Sequence, residues 1–181
     1  MLASLFLIGA LSTTPQMSVQ AASQTIVEDE SGGVSGAVNR MLGGIVSYVR
    51  WPAPVEPVKT LCVVGGPRLT DRIAPDVPGR GPAIAVRRTT VAAATAAGDC
   101  DILFLGRLPD ADRNRLIGWV RNRPVLTISD DDPDCLHGAM FCLVHRRGGL
   151  SFSVNLDAIA RGPLRIDPRV LKIGRGDGGG T

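Results

Sequence analysis

Four short apolar runs, separated by segments of helical composition, constrain the fold of this chain more than any other feature of its sequence. The runs are TLCVVGG (60–66), PAIAVRR (82–88), CDILFLG (100–106) and PVLTISD (124–130). Short continuous runs with β-branched residues are typical of strands that are buried on both faces. The intervening segments PRLTDRIAP, TVAAATAAG and PDADRNRLIGWVRN are predicted to be helices. Strands that alternate with helices predict a layered α/β sandwich with a mostly parallel sheet and crossover helices.

A further helix is predicted before the first strand. Its apolar residues recur at helical spacing at Val34, Val38, Met41, Ile45 and Val49. The helix should end at Trp51-Pro52, because proline cannot donate the next backbone hydrogen bond. Gly43 and Gly44 either weaken this helix or allow another segment to approach it closely.

The pattern after residue 138 predicts a C-terminal antiparallel hairpin. AMFCLVHR and LSFSVNL flank residues 147–149, and apolar and polar residues alternate in the second of these runs. This alternation indicates one buried and one more polar face. A helix over 157–162 and a turn over 168–173 are predicted to close the domain.

The N-terminus has the pattern of an export signal. An apolar run, LASLFLIGAL, is followed by a polar stretch and by SVQAAS, which suits the small-residue rule of a cleavage site. The run is too short to cross a bilayer of about 30 Å. We therefore predict a signal peptide over residues 1–22 and a periplasmic mature chain.

The remainder is predicted to form one domain over residues 34–174. The acidic and polar segment 23–33 is predicted to be flexible, and the glycine-rich tail 175–181 to be disordered. A mature chain of roughly 160 residues is the size of one ordinary domain. The net charge of +3 is mild and the arginines are scattered, so we expect no nucleic-acid partner.

Four cysteines in an exported chain favour two disulfides, although they can pair in three ways. Cys62 lies in the first predicted strand and Cys100 at the start of the third, whereas Cys135 and Cys142 flank a turn at Gly138. These positions favour Cys62–Cys100 and Cys135–Cys142. On the chain-entropy model the longer loop contributes about 4 kcal/mol and the shorter about 2.5 kcal/mol. An alternative for the short pair is a redox-sensitive switch.

An acidic cluster next to the short cysteine pair is a candidate cation site. Asp130, Asp131, Asp132 and Asp134 follow a predicted strand, and His137 lies close by. Carboxylates beside a proline are also common in solvated loops, and the spacing matches no metal motif. With no nucleophile elbow, phosphate loop or zinc-protease motif, the sequence predicts no catalytic residue, no metal and no cofactor.

The order of several stretches resembles the YfiR-like family. These are YVRWP, LCVVG, CDILFLG, PVLTISD, HGAMFCLV with its second cysteine, LSFSVNLDAI and LRIDPRVLKIG, which together cover residues 34–174. The chain has Gly138-Ala139 where the family usually has a glycine pair. The resemblance implies the pairs Cys62–Cys100 and Cys135–Cys142 and no catalysis.

The resemblance also implies a mechanism. YfiR-like proteins bind the periplasmic sensing domain of an inner-membrane diguanylate cyclase and repress it, which lowers cyclic di-GMP and biofilm formation. An outer-membrane lipoprotein can sequester the repressor. We also consider a homodimer, because regulators of dimeric cyclases often match the symmetry of their partner. The alternative function is a periplasmic small-molecule-binding module, with Gly65-Gly66 and residues 130–132 near a cleft.

The partner-binding surface is predicted on the hairpin and on the helix that follows it. If Met140 and Cys142 face inward, strand alternation turns Phe141 and Leu143 to the other face, where Ile159 could extend an apolar patch. The alternative is that helices cover this face, as is normal for sheets in α/β folds.

Overall fold

The computed structural model describes residues 32–54, 56–146 and 149–173. The elements, in chain order, are α1 (Gly33–Ser47), β1 (Val49–Arg50), β2 (Val58–Val64), β3 (Ala83–Thr89), α2 (Val91–Ala97), β4 (Ile102–Leu105), α3 (Asp110–Val120), β5 (Leu126–Ser129), β6 (Phe141–Arg146), β7 (Gly149–Val154), α4 (Leu156–Ala160), β8 (Arg165–Ile166) and a final 3-10 helix (Pro168–Lys172). The predicted signal peptide, most of the segment 23–33 and the predicted tail 175–181 lie outside the described residues. Within the described ranges, no helix has both the length and the apolar character needed to cross a membrane.

The main sheet has six strands in the order β3-β2-β4-β5-β6-β7. The first five strands are parallel, and β7 pairs antiparallel with β6. This arrangement confirms the predicted α/β sandwich with a mostly parallel sheet and a C-terminal antiparallel hairpin. A separate two-stranded ribbon, in which β1 pairs antiparallel with β8, was not predicted.

The two faces of the sheet are covered by different helices. One face packs with α1, and its large core includes Met41, Ile45, Phe104 and Phe152. The opposite face packs with α2 and α3, and its smaller core includes Leu103. Coverage on both faces accounts for the continuous apolar character of β2, β4 and β5.

The prediction of a helix in PRLTDRIAP is wrong. The connection from β2 to β3 contains no helix, and the side chains of Asn39 and Asp130 bind its backbone instead. Asn39 on α1 makes two hydrogen bonds to this segment. The Asn39 amide donates to the Arg72 carbonyl at 2.8 Å and accepts from the Ala74 N–H at 2.8 Å.

Gly43 allows this connection to lie directly against α1. A Cβ atom at Gly43 would stand 2.0 Å from the carbonyl oxygen of Asp76, a distance that no side chain could tolerate. Of the two interpretations of the glycine pair, the structure confirms the close approach.

Candidate functional site

The crevice in which open α/β sheets usually bind ligands is filled in this protein. That crevice forms where the strand order reverses, here at the carboxyl ends of β2 and β4. Gly66 N–H donates to the Arg107 carbonyl at 3.2 Å, and Arg107 N–H donates to the Gly66 carbonyl at 2.8 Å. A Cβ atom at Gly106 would lie 2.4 Å from the carbonyl carbon of Gly66. Gly65-Gly66 therefore packs two loops together, while a cavity of about 340 Å³ that Arg68, Leu69 and Asp130 help to line lies nearby.

Asp130 anchors the connection between β2 and β3. Its Oδ2 accepts the backbone N–H groups of Arg68 at 2.7 Å and Leu69 at 2.9 Å. Its Oδ1 is buried and has no hydrogen-bond partner among the described residues. Burial raises the pKa of the Asp130 carboxyl above its ordinary value, although the two N–H donors act in the opposite direction. The role of Asp130 in this geometry is to position a loop.

Asp132 organises the loop that follows β5. The side chain is 2 % exposed, and its oxygens accept the backbone N–H groups of Leu136 at 3.0 Å and His137 at 2.8 Å. The His137 ring nitrogen Nδ1 lies 3.4 Å from the same carboxylate. Asp130 and Asp132 thus each bind a different piece of backbone.

A metal-like grouping does exist beside this loop. One ligand atom each from Asp132, Cys135 and Cys142 lies within 4.8 Å of the others. The two sulfur atoms are joined in a disulfide, however, and only a thiolate is a strong metal ligand. The cluster therefore acts as a structural unit in the oxidised protein.

The structure contains the disulfides Cys62–Cys100 and Cys135–Cys142. Cys62 lies in β2 and Cys100 lies two residues before β4, so this bond joins neighbouring strands within the smaller core. The Arg87 guanidinium approaches Cys62 Sγ at 3.3 Å from the edge strand β3. This bond closes the longer of the two loops.

The Cys135–Cys142 disulfide joins the loop after β5 to strand β6. Cys135 has a φ of 54°, the left-handed region that residues other than glycine seldom adopt. Its N–H donates to the Asp132 carbonyl at 3.0 Å, and its own carbonyl accepts from the Asn155 amide at 3.1 Å. The disulfide, Asp132 and Asn155 together hold this unfavourable conformation.

Asn155 connects the short disulfide loop to α4. While its amide nitrogen binds the Cys135 carbonyl, its Oδ1 accepts the Ala158 N–H at 2.9 Å and so caps α4. Asn155 is not among the site residues predicted from the sequence. The available signal was an Asn directly before an apolar residue and Asp157, which is a typical helix start.

Helix α4 presents an apolar surface to solvent. Leu156 is 61 % exposed, and Ile159 is half-buried and packs partly against the larger core. The two residues are three positions apart and lie on the same side of the helix. We call this pair of side chains the α4 surface.

The prediction that Phe141 and Leu143 form an exposed patch is wrong. They are 0 % and 2 % exposed, and both belong to the larger core with α1. The Phe141 ring packs against the Phe152 ring with a centroid distance of 5.8 Å. The alternative, in which a helix covers this face, is the one observed, and of the three predicted residues only Ile159 reaches the surface.

The sheet face that packs with α2 and α3 is apolar on one half of the sheet and polar on the other. On β4 it carries Leu103 and Leu105, whereas on β5 and β7 it carries hydroxyl side chains such as Thr127, Ser129 and Ser151. Backbone groups satisfy these hydroxyls. The Met140 N–H donates to Thr127, and Ser129 and Ser151 donate to carbonyl groups at 3.1 and 3.2 Å. The short disulfide belongs to this polar half.

Comparison with known families gives one match over most of the chain. Residues 36–175 match the family model described as YfiR/HmsC-like. The matched range begins inside α1 and includes every strand, both disulfides and α4.

Proposed function

Because the chain belongs to the YfiR/HmsC-like family, we propose that it is a periplasmic regulator that binds and represses the sensing domain of an inner-membrane diguanylate cyclase. The family match over residues 36–175 is the observation that carries this proposal. The two disulfides support an oxidising compartment, in which such bonds persist. Repression would lower cyclic di-GMP and biofilm formation.

The regulator acts by contact and performs no reaction of its own. To repress the cyclase, it must bind the inactive conformation of the sensing domain more tightly than the active one, because only a difference in affinity shifts a conformational equilibrium. An outer-membrane lipoprotein that competes for the same regulator would release the cyclase. The output of the system then depends on how the regulator divides between two protein partners.

The α4 surface is the contact that we propose for the partner. Exposed apolar side chains with a polar rim are typical of the centre of a protein interface. Leu156 supplies the exposed apolar area, and the Asp157–Arg161 ion pair on the same helix supplies part of the rim. The Asn155 cap fixes the start of this helix relative to the disulfide loop.

Two experiments on the mature protein test the proposal. The first is co-purification with the isolated periplasmic domain of the cyclase, and the second is cyclic di-GMP measurement in a strain that lacks the regulator. We expect a complex and a raised cyclic di-GMP level. No complex and an unchanged level would contradict the proposed function.

A pair of surface variants tests the proposed contact. Leu156→Asp should abolish co-purification without a loss of folding, because the side chain is exposed in the free protein. Val86→Asp is the matched control, since Val86 is another exposed apolar residue, 37 % exposed on the edge strand β3. Loss of the complex in the control as well, or in neither variant, would exclude the α4 surface.

A further inference from the structure

The carboxyl half of strand β6 has no strand partner on one side. β5 pairs with β6 only at Phe141 and Cys142, whereas β7 pairs with β6 along its whole length. Successive backbone groups of a strand point to its two edges in turn, so residues 143–146 present donors and acceptors on the side where β5 has ended. Among the described residues, these groups make no backbone–backbone hydrogen bond outside the strand ladders. We call this open edge, formed by residues 143–146, the β6 edge.

The β6 edge borders the cavity of about 340 Å³. Residues 143–146 line the cavity from the strand, and Leu69 and Pro133 line it from two loops. Its volume lies at the lower end of the range of roughly 300–1,000 Å³ that is usual for ligand sites. The cavity can be reached from solvent, because the His145 and Arg146 side chains in its lining are exposed. A segment bound there would contact the cavity wall and the strand edge together.

The charged side chains that line this cavity favour an acidic ligand. They are Arg68, Asp130, His145 and Arg146. Arg146 makes no ion pair within the described ranges, and the half-exposed Arg68 guanidinium lies 3.3 Å from the Asp131 carboxylate. The Asp130 carboxylate is already used, because it accepts two backbone N–H groups. The lining therefore has an excess of positive charge, and Arg146 presents part of it to solvent.

Strand alternation determines which side chains a segment paired with the β6 edge would need. Leu143 belongs to the larger core on the α1 face, and Leu69 packs against the same core. Arg146 is an odd number of positions from Leu143 and so points to the opposite face. Neighbouring strands place side chains of the same level on the same face. An added strand would therefore carry apolar side chains on the α1 face and acidic side chains on the other.

The outer edge of β3 provides a comparison. β3 is the first strand of the six-stranded sheet and has no outer partner among the described residues. Its arginines are already paired, Arg87 with Asp99 and Arg88 with Asp71. An acidic strand would have to displace these carboxylates, so the β6 edge is the better match for it.

We propose that the β6 edge binds an extended acidic segment of a partner protein by strand addition. The backbone of the segment pairs with residues 143–146, and one of its acidic side chains pairs with Arg146. Main-chain hydrogen bonds supply affinity in this kind of recognition, and alternate side chains supply selectivity.

This inference does not rest on the proposed regulatory function. Helix α4 follows the end of β7, and Val154 at that end pairs with Phe141 at the start of β6. The α4 surface and the β6 edge therefore lie at opposite ends of the same strand, and either can bind a partner without the other.

A capped hexapeptide of alternating valine and glutamate is a suitable probe. We would titrate it into the ¹⁵N-labelled protein and follow the backbone amide signals of both open edges. The signals of residues 143–146 should shift, whereas those of residues 83–89 should stay in place, because the arginines of β3 are already paired. Stationary signals over residues 143–146, or equal shifts at both edges, would overturn the proposal.

Two matched peptides separate charge recognition from backbone pairing. The first has glutamine in place of glutamate and should bind about tenfold more weakly, as expected for the loss of one charge-assisted hydrogen bond. The second keeps the glutamates but has methylated backbone nitrogens, which cannot donate to a strand, and it should bind at least tenfold more weakly. Equal affinity of the glutamate and glutamine peptides would exclude recognition of the charge. Equal affinity of the methylated and unmethylated peptides would exclude strand addition.

A pair of variants tests the cation and the identity of the occupant. Arg146→Gln should weaken binding of the glutamate peptide about tenfold. Arg115→Gln removes an exposed arginine on α3 and should bind as the wild type does. Equal affinities of the two variants would exclude Arg146 as the partner of the acidic side chain. Analytical ultracentrifugation without peptide should show the same oligomeric state for Arg146→Gln and the wild type. A loss of self-association in Arg146→Gln would contradict the proposal and assign the edge to a second copy of this chain.

Discussion

The two disulfides brace different halves of the same sheet face. Cys62–Cys100 lies among apolar side chains such as Val64 and Leu103, and it joins residues 38 positions apart. Cys135–Cys142 lies beside Asp132 in the polar half, and it joins residues 7 positions apart. One bond closes a large loop within an apolar core, and the other closes a small loop in a hydrogen-bonded network.

The two bridges are expected to act on different properties, the long one on the stability of the domain and the short one on local backbone geometry. A long closed loop removes much conformational freedom from the unfolded chain, whereas a short one removes less. The short loop instead fixes local geometry, because it holds Cys135 at a left-handed φ and so positions the carbonyl that binds Asn155. We infer that the long bridge mainly stabilises the domain and the short bridge mainly positions α4.

Removal of the long bridge should have the largest effect on stability. In Cys62→Ala with Cys100→Ala we expect the free energy of unfolding to fall by about 4 kcal/mol, the chain-entropy value for a loop of this length. Urea denaturation followed by circular dichroism measures the loss. A loss equal to or below that of the short-bridge variant would contradict the loop-length argument.

Removal of the short bridge should have a smaller but more local effect. For Cys135→Ala with Cys142→Ala we expect a loss of about 2.5 kcal/mol. Amide hydrogen exchange should become faster in α4 than in β2, because the loop that holds Asn155 is released. Uniformly faster exchange through the whole domain would show that the two bridges do not differ in kind.

Substitution of Asn155 tests the link from the short loop to α4. Asn155→Ala removes both the α4 cap and the bond to the Cys135 carbonyl, so we expect a loss of about 1–2 kcal/mol. Asn155→Asp is the matched control, since it retains an acceptor for the Ala158 N–H but loses the donor to Cys135. The Asp variant should lie between the wild type and the Ala variant in thermal unfolding. An Ala variant as stable as the wild type would remove Asn155 from the account.

The smallest predicted effect is the pH dependence that comes from Asp130. Burial raises its pKa in the folded protein above 3.8, the ordinary value for aspartate. The folded state therefore holds this proton more tightly than the unfolded state does. The contribution of Asp130 to stability is fully present below pH 3.8 and is lost as the pH rises through the folded pKa.

Asp130→Asn isolates this contribution. The difference in unfolding free energy between the wild type and this variant should shift in favour of the variant as the pH rises from 4 towards neutral, because the variant carries no charge to bury. Urea denaturation at several pH values measures that difference. A difference that stays constant with pH would show that the burial of Asp130 has no energetic consequence.

The strands could be predicted from sequence because burial on both faces leaves a strong signal. The four apolar runs coincide with β2, β3, β4 and β5, and the alternating run coincides with β7. Cysteine positions relative to these strands also favoured the two pairs that the structure contains. Local sequence patterns located the strands, and the positions of the cysteines relative to those strands favoured the pairs.

The features that depend on long-range packing could not be predicted. Residues 67–75 have helical composition, yet their conformation is decided by the Asn39 and Asp130 side chains, which are distant in sequence. Strand alternation correctly placed Phe141 and Leu143 on the same face of the sheet. That this face is buried depends on the position of α1, which no local pattern shows.

The central claim is tested most directly by the affinity of the protein for the periplasmic domain of the proposed cyclase partner. Isothermal titration calorimetry measures this affinity for the wild type and for the two double-alanine disulfide variants. At a temperature where all three proteins are folded, we predict that Cys135→Ala with Cys142→Ala weakens binding strongly, while Cys62→Ala with Cys100→Ala binds as the wild type does. Equal affinities for the two variants would contradict the claim that the short bridge positions the partner-binding helix.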